Sequence, residues 1–336
     1  MFKSEMPAAT LRILGRNLES NAFNDFESGA KLQLSQFSIE YIHQGNPRIE
    51  YARRFFPDAQ GYDFIIEREY PSIPKMPGDY VGYGAIVLEP EDLLSSLRLY
   101  RPGDLAFVGV SIQRTGRPPV LLYPYRVISN LVTESTRQFT FNREDVQAWE
   151  DFDRGLRSSP SWTASWFKAA RRAFLYGSSD EFNPNFEGQV DRVSYFFAAL
   201  EASLVPKSDF IQRSLKERAI ALLGANGDSS TNTKKLLSDF YGIRSTLVHG
   251  SPLSPRQIAL LQDRGRWWEF ELLVRELLVA AVKTVPPDEK RRKDYLSALY
   301  EPGDAAHSDE VVKHFKSIKD DSVRKSLVAH PGPRLN

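Results

Sequence analysis

Apolar residues recur along this chain at two spacings, and the change falls near residue 142. Before it, apolar and polar positions alternate at residues 37–41, the pattern of a half-buried strand. Other segments rich in aromatic and β-branched residues predict strands at residues 62–67, 81–88, 105–113 and 120–128.

Turn residues complete the prediction for the first half of the chain. Gly116 and Pro118 lie in the loop 114–118 and predict a hairpin between the last two strands. Pro90, followed by acidic residues and leucines, predicts the first turn of a short helix. Residues 1–142 are therefore expected to form an α+β or mostly β domain.

Beyond residue 142 the apolar positions follow helical spacing. Asn142 is predicted to cap a helix that ends near Leu156, before a break at Pro160. Further helices are predicted at residues 161–176, 187–204, 207–223, 231–249, 255–284 and 288–299. Short breaks between several helices are typical of a helical bundle.

This pattern predicts a two-domain protein. The predicted parts are a β-rich domain at residues 1–142, a connecting helix and linker at 143–160, an all-α bundle at 161–300 and a polar tail at 301–336, with one more helix around 309–318.

Composition narrows the classes of function. The 44 basic and 43 acidic residues give a formal net charge of +1, so any surface that attracts nucleic acid has to be local. The absence of cysteine excludes disulfides, thiolate metal sites and a cysteine nucleophile. The histidines are scattered and there is no nucleotide-binding glycine loop, so neither a metal nor a cofactor is expected. The apolar run 277–282 is too short to span a bilayer, and the first residues make a poor signal peptide. Both observations predict a soluble cytoplasmic protein that does not bind membranes.

Candidate chemistry lies on the predicted helix 231–249. Its apolar face is formed by Leu236, Phe240, Ile243 and Leu247. At about 100° per residue, Ser245 and His249 lie nearly opposite that face, and Tyr241 and Arg244 lie between. His249 is therefore not predicted to point into the core of its own helix.

The segment Phe240-Tyr-Gly-Ile-Arg-Ser-Thr-Leu-Val-His-Gly250 resembles the signature of HEPN domains, especially the Apea-like group. Upstream, Ala198-Ala-Leu-Glu201 looks like the acidic position on the family's preceding long helix, and the resemblance covers roughly residues 160–300. It implies a HEPN-type helical bundle that forms a homodimer with two such motifs facing each other, and metal-independent cleavage of RNA in active members. It also implies a setting in prokaryotic antiphage or abortive-infection defence.

The resemblance assigns roles to five residues. His249 would act as general base and acid for attack by the RNA's own 2′-hydroxyl, because histidine exchanges protons near neutral pH. Arg244 would hold the scissile phosphate with its planar guanidinium. Ser245, Tyr241 and Glu201 would support this pair, Ser245 by binding a phosphate oxygen or orienting His249, and Glu201 by orienting Arg244.

Structural interpretations of the same residues stay open. His249 followed by Gly250 is a common way to end a helix, and Glu201 could simply pair with a basic residue. Arg324 and His330 in the tail repeat the loose spacing, so spacing alone does not identify a site. In the main hypothesis the N-terminal domain senses a trigger or sets specificity. The alternative function is a non-catalytic HEPN module for dimerisation or nucleotide binding, and in it the N-terminal domain recognises a partner.

Overall fold

The computed structural model describes eleven stretches of the chain, which form two compact units. The described residues are 9–16, 18–20, 31–34, 36–41, 64–71, 83–103, 105–123, 139–178, 186–206, 211–224 and 227–299. The first unit comprises Met1–Arg98 and Gly103–Phe152, and the second comprises Leu99–Pro102 and Asp153–Asn336. Among the described residues, no helix combines the length and the apolar character needed to cross a bilayer.

The first unit is built on an antiparallel sheet. Its strands are β1 (Ala9–Arg16), β2 (Leu18–Glu19), β3 (Lys31–Leu34), β4 (Phe37–Tyr41), β5 (Phe64–Tyr70), β6 (Ala106–Arg114), β7 (Val120–Tyr123) and β8 (Phe139–Thr140). Six of them form one sheet in the order β3-β4-β5-β1-β6-β7, and β2 pairs with β8 in a separate parallel ladder. The predicted strand 37–41 is confirmed.

The predicted hairpin is also confirmed. Strands β6 and β7 pair antiparallel, and Arg117 N–H donates to the Arg114 carbonyl across the turn. Gly116 has φ +70°, a conformation that favours glycine. Residues 124–128 of the predicted second strand lie outside the described residues.

Strand β1, absent from the predicted strands, is central to this sheet. It pairs with β5 on one side and β6 on the other, and Leu11, Ile13 and Leu14 are fully buried. Leu14 breaks the alternation of apolar and polar positions, because both faces of the strand are covered at that end. A Cβ atom at Gly15 would lie 2.0 Å from the ring of Phe64, so the strands approach closely at this glycine.

One predicted strand is wrong. Residues 83–88 begin helix α1 (Tyr83–Tyr100) rather than forming a strand, and Pro90 lies inside this helix instead of in its first turn. Strand propensity amounts to only about 1 kcal/mol and is overridden by context. Glu89 of α1 accepts hydrogen bonds from Arg68 and Tyr70 of β5, which joins the helix to the sheet.

The second unit is helical. The helices that follow the sheet are α2 (Asp145–Arg157), α3 (Ser165–Gly177), α4 (Phe186–Leu204), α5 (Ile211–Leu223), α6 (Gly227–Val248), α7 (Pro255–Gln262), α8 (Arg264–Thr284) and α9 (Glu289–Ala298), with a 3-10 turn at Pro160–Thr163. The division between the units falls within α2, inside the predicted connecting segment. The predicted helix at 309–318 and the tail lie outside the described residues.

Three predicted helix boundaries need correction. The predicted helix 255–284 is two helices, because Asp263 leaves helical geometry and its carboxylate accepts the Arg266 N–H at the start of α8. The motif helix, α6, which carries the HEPN-like segment and was predicted at 231–249, begins at Gly227 and ends at Val248, so His249 follows it. Helix α2 begins at Asp145, whose carboxylate accepts the backbone N–H of Asn142.

Helix α8 forms the centre of the helical unit, and aromatic rings fix α6 against it. The rings of Phe240 on α6 and Phe270 on α8 stack with centroids 4.2 Å apart. Trp267 and Trp268 are both buried and therefore belong to the core of this unit. The core face predicted for α6 is confirmed at Leu236, Phe240 and Ile243.

A buried ion-pair cluster joins three helices. Glu271 on α8 lies 2.7 Å from Arg275 on the same helix and 3.6 Å from Arg192 on α4. Arg192 also donates to the carbonyl of Gly177 at the end of α3. Since Glu271 is 1% exposed and Arg275 is fully buried, each charge depends on the others for its stability.

Other buried arginines bind carbonyls near the ends of helices. Arg218 on α5 donates to Leu204 at the end of α4 and to Leu296 near the end of α9. Arg292 on α9 donates to the carbonyl of Ala202 on α4. A cation is favourable at this end of a helix because the last carbonyls lack helical partners.

Replacing Glu271 with glutamine should destabilise the helical unit by about 3 kcal/mol or more, because two buried guanidinium groups lose their counter-charge. Glu217→Gln is the matched control. It breaks the Arg213–Glu217 pair, which has the same i,i+4 spacing, but Arg213 is 79% exposed, so the loss should stay under about 1 kcal/mol. Urea unfolding followed by circular dichroism measures both, and equal losses would contradict a structural role for the buried cluster.

Candidate functional site

Three of the five candidate residues, Glu201, Tyr241 and Arg244, lie where α4 packs against α6. Helix α6 places Tyr241 and Arg244 one turn apart on the side that faces α4, and α4 contributes Glu201. Packing fixes this arrangement, because the ring edge of Tyr241 meets the ring of Phe197 on α4, with centroids 5.2 Å apart.

Arg244 is held by Glu201 and Tyr241. Its Nη2 lies 2.9 Å from Glu201 Oε2, its Nη1 lies 3.5 Å from the Tyr241 hydroxyl, and its guanidinium carbon lies 5.4 Å from the Tyr241 ring centroid. The predicted orienting contact between Glu201 and Arg244 is therefore present in the structure. A guanidinium has five N–H donors, so this arrangement leaves donors for a further acceptor.

Burial of this pair is partial. About a fifth of each side chain is exposed, 21% for Arg244 and 20% for Glu201. Burial raises the pKa of the Glu201 carboxyl, and the positive charge of Arg244 offsets part of that rise. Among the described residues, Glu201 Oε1 is buried without a hydrogen-bond partner. The ion pair is thus close enough to the surface for solvent or an anion to reach Arg244.

His249 is the first residue beyond α6, and its side chain is exposed. Gly250 takes φ +66° and donates its N–H to the Leu247 carbonyl, and Ser251 N–H donates to the Thr246 carbonyl. These two bonds form a Schellman motif, in which a glycine in left-handed geometry ends a helix. The structural interpretation of His249–Gly250 as a helix end is therefore correct, and it leaves the imidazole in solvent.

Ser245 is half-buried on the same turn. Its carbonyl accepts the backbone N–H of His249 at 3.2 Å. Within the described part of the chain, neither the Ser245 hydroxyl nor the His249 ring has a side-chain hydrogen bond. The His249 ring is exposed and the Ser245 side chain is partly exposed.

Among the described residues, no hydrogen bond or ion pair joins Arg244 to His249 within one chain. The described contacts of Arg244 are with α4 and Tyr241, and those of His249 are with the backbone of its own helix end. Arg244 lies within α6 and pairs with α4, whereas His249 lies in solvent beyond the end of α6.

Sequence reasoning missed Gln257 on α7. Its amide group donates to the Gly242 carbonyl and to the Thr246 hydroxyl of the motif helix. The signal was available in the sequence, because Ser254 and Gln257 have the spacing of a capping box at a helix start. The capping box is present as this spacing predicts, but the hydrogen bonds of Gln257 to α6 depend on tertiary packing.

Comparison of the chain with protein-family models, with curated proteins and with solved structures found no match. The inference about function therefore depends on the site residues and on the resemblance of residues 240–250 to the HEPN signature.

Glu201→Gln should change how stability depends on pH. A carboxyl whose pKa is raised by folding binds a proton more readily in the folded state, so its contribution to stability is greatest at low pH and is lost as pH rises through the folded pKa. Wild type should therefore gain stability relative to Glu201→Gln as pH falls from 7 toward the carboxyl's usual 4.5.

Thermal unfolding of both proteins across that pH range measures this difference. Asp228→Asn, an exposed acid in the first turn of the same helix as Arg244, is the control for general effects of removing a carboxylate. A stability difference that stays constant or reverses as pH falls would show that the Glu201 pKa is not raised in the folded protein.

Proposed function

We propose that the helical unit is a HEPN-type domain of the Apea-like group and that the chain binds and cleaves RNA. The observation that supports this most is the pairing of Arg244 with Glu201, which leaves a partly exposed guanidinium near the end of α6, beyond which His249 is exposed to solvent. A cation that a carboxylate holds in place is pre-organised to receive a phosphate, which lowers the cost of reorganisation during the reaction.

The proposed chemistry uses the 2′-hydroxyl of the RNA as nucleophile. His249 removes its proton, the hydroxyl oxygen attacks the adjacent phosphorus, and the bond to the 5′-oxygen breaks as that oxygen takes up a proton. The products are a 2′,3′-cyclic phosphate and a 5′-hydroxyl. Arg244 stabilises the negative charge on the phosphate oxygens, and Ser245 lies on the surface where it can donate to one of them.

A homodimer completes the site in this proposal. Arg244 pairs with α4 and His249 lies in solvent beyond the end of α6, so a cleft that contains both is formed more readily by two copies than by one. Val248, which directly precedes His249, is 65% exposed, and a second copy would cover it. The proposed location of this dimer is the cytoplasm, and its proposed setting is prokaryotic antiviral defence.

The alternative is a non-catalytic module that dimerises or holds a nucleotide. Two observations favour it: Arg244 already has an anionic partner, and His249 has a structural role at the end of α6. In this alternative Arg244 binds a phosphate group without any bond being broken, and the N-terminal unit recognises a partner.

RNA cleavage with EDTA present separates these functions. Wild type should cleave, because the 2′-hydroxyl mechanism needs no metal ion, while Arg244→Ala and His249→Ala should each lose about a hundredfold or more in kcat. The control Arg213→Ala removes an exposed arginine on α5 and should retain wild-type rates. Cleavage that survives both motif substitutions would show that the chemistry lies elsewhere. Folded wild type that binds but does not cleave varied RNAs would support the non-catalytic module.

Mixing the two inactive variants tests whether two chains share a site. If Arg244 of one protomer works with His249 of the other, half of the sites in a mixed dimer are intact, and randomly exchanged subunits should recover about a quarter of wild-type activity. Subunits must be exchanged by dilution and reconcentration, with light scattering to measure the mass. Each variant treated alone is the control. No recovery from verified mixed dimers would show that each chain supplies a complete pair.

A further inference from the structure

The loop that follows His249 is tied back to α6 at both ends. At its start, Ser251 N–H donates to the Thr246 carbonyl at 2.9 Å. At its end, Ser254 begins α7, and Gln257 in the first turn of α7 reaches α6. Residues 249–254 therefore span two anchor points on one helix.

Gln257 uses both ends of its amide group. Its Oε1 accepts the N–H and the hydroxyl of Ser254 at 2.9 and 3.0 Å, which closes the capping box of α7. Its Nε2 donates to the Gly242 carbonyl at 3.0 Å and to the Thr246 hydroxyl at 2.9 Å. One side chain thus fixes the start of α7 and joins it to the last turns of the motif helix.

Thr246 connects the two anchors. Its carbonyl accepts Ser251 N–H, and its hydroxyl accepts from Gln257 while donating to the Gly242 carbonyl at 2.8 Å. Gly242 suits this contact, because a Cβ atom there would already lie 3.8 Å from Gln257 Nε2, and a longer side chain would fill the space that the amide occupies.

The His249 ring has no hydrogen-bond partner of its own in the described part of the chain, so its position depends on the backbone that carries it. A catalytic group has to be held within about 0.5 Å of its working position, and a shift of about 1 Å can cost a hundredfold in rate. The bonds of Gln257 and Thr246 join this backbone to α7, which also contacts α6 further back through Arg256 and Asp239, whose Nη2 and Oδ1 lie 3.3 Å apart.

We propose that Gln257, acting through Thr246, is a positioning residue for His249. This inference rests on the proposed ribonuclease function, in which His249 transfers protons. Gln257 does not touch the reacting atoms, so losing it should lower kcat and leave the binding of RNA, measured as KM, little changed.

Gln257→Glu is the decisive variant. The carboxylate keeps the capping box, since glutamate also suits this position, but it cannot donate to the Gly242 carbonyl. Gln262→Glu is the matched control, with the same change of charge at an exposed position on the same helix. Cleavage should show kcat about tenfold or more below wild type in Gln257→Glu, KM within about threefold, and wild-type values in Gln262→Glu.

A second pair of variants tests the hydroxyl. Thr246→Ser keeps the hydroxyl that receives Gln257 and should retain most of kcat, whereas Thr246→Val removes it and should lose kcat to a similar degree as Gln257→Glu. A kcat near wild type in Thr246→Ser would show that the Thr246 hydroxyl acts through its hydrogen bond. A loss of kcat in Thr246→Ser as large as that in Thr246→Val would show that the side chain only fills space.

Hydrogen exchange distinguishes failure of this inference from failure of the proposed function. The amide of Ser251 should exchange about tenfold faster or more in Gln257→Glu than in Gln262→Glu, whether or not RNA is cleaved. Faster exchange with no cleavage by wild type would overturn the ribonuclease proposal and keep the structural restraint. Unchanged exchange, or faster exchange with unchanged kcat, would overturn Gln257 as a positioning residue.

Discussion

The buried carboxylate of Glu271 is the constraint on which the helical unit depends. It lies against two guanidinium groups, Arg275 on its own helix and Arg192 on α4, and Arg192 in turn binds the end of α3. Charges at this depth are stable only when each has its partners, so α3, α4 and α8 have to close together or not at all. Since α4 also carries Glu201, this cluster sets the position from which Arg244 is held.

Arginine has two different uses in this unit, and burial separates them. Arg192 and Arg218 are almost fully buried and donate to backbone carbonyls near helix ends, where a cation offsets the partial negative charge of the carbonyls. Arg244 is partly exposed and its partner is a side chain that can exchange protons with solvent. A count of basic residues cannot show this difference, which explains why a near-zero net charge says little about the site.

Patterns that depend on one helix were predictable, and those that depend on contact between elements were not. The apolar face of α6 and the flanking place of Arg244 follow from spacing alone, whereas His249 is exposed because the helix ends before it. The division at Asp263 was missed because an aspartate can either continue a helix or cap one, and packing decides. Strand β1 was missed because its end is buried on both faces, and Gln257 was missed because its partners lie on another helix. The resemblance predicts that Glu201 orients Arg244, but their 2.9 Å contact depends on the packing of α4 on α6.

Among the described residues, one oxygen of Glu201 has no hydrogen-bond partner, and the proposed binding of an anion at Arg244 would be coupled to the binding of a proton by this carboxyl. An anion that approaches Arg244 weakens the attraction that keeps the Glu201 carboxylate ionised, and burial already favours its neutral form. By reciprocity, a proton on Glu201 frees the guanidinium for the anion by the same free energy. If Arg244 binds phosphate as proposed, this binding becomes stronger as pH falls, independently of the imidazole beyond the helix end.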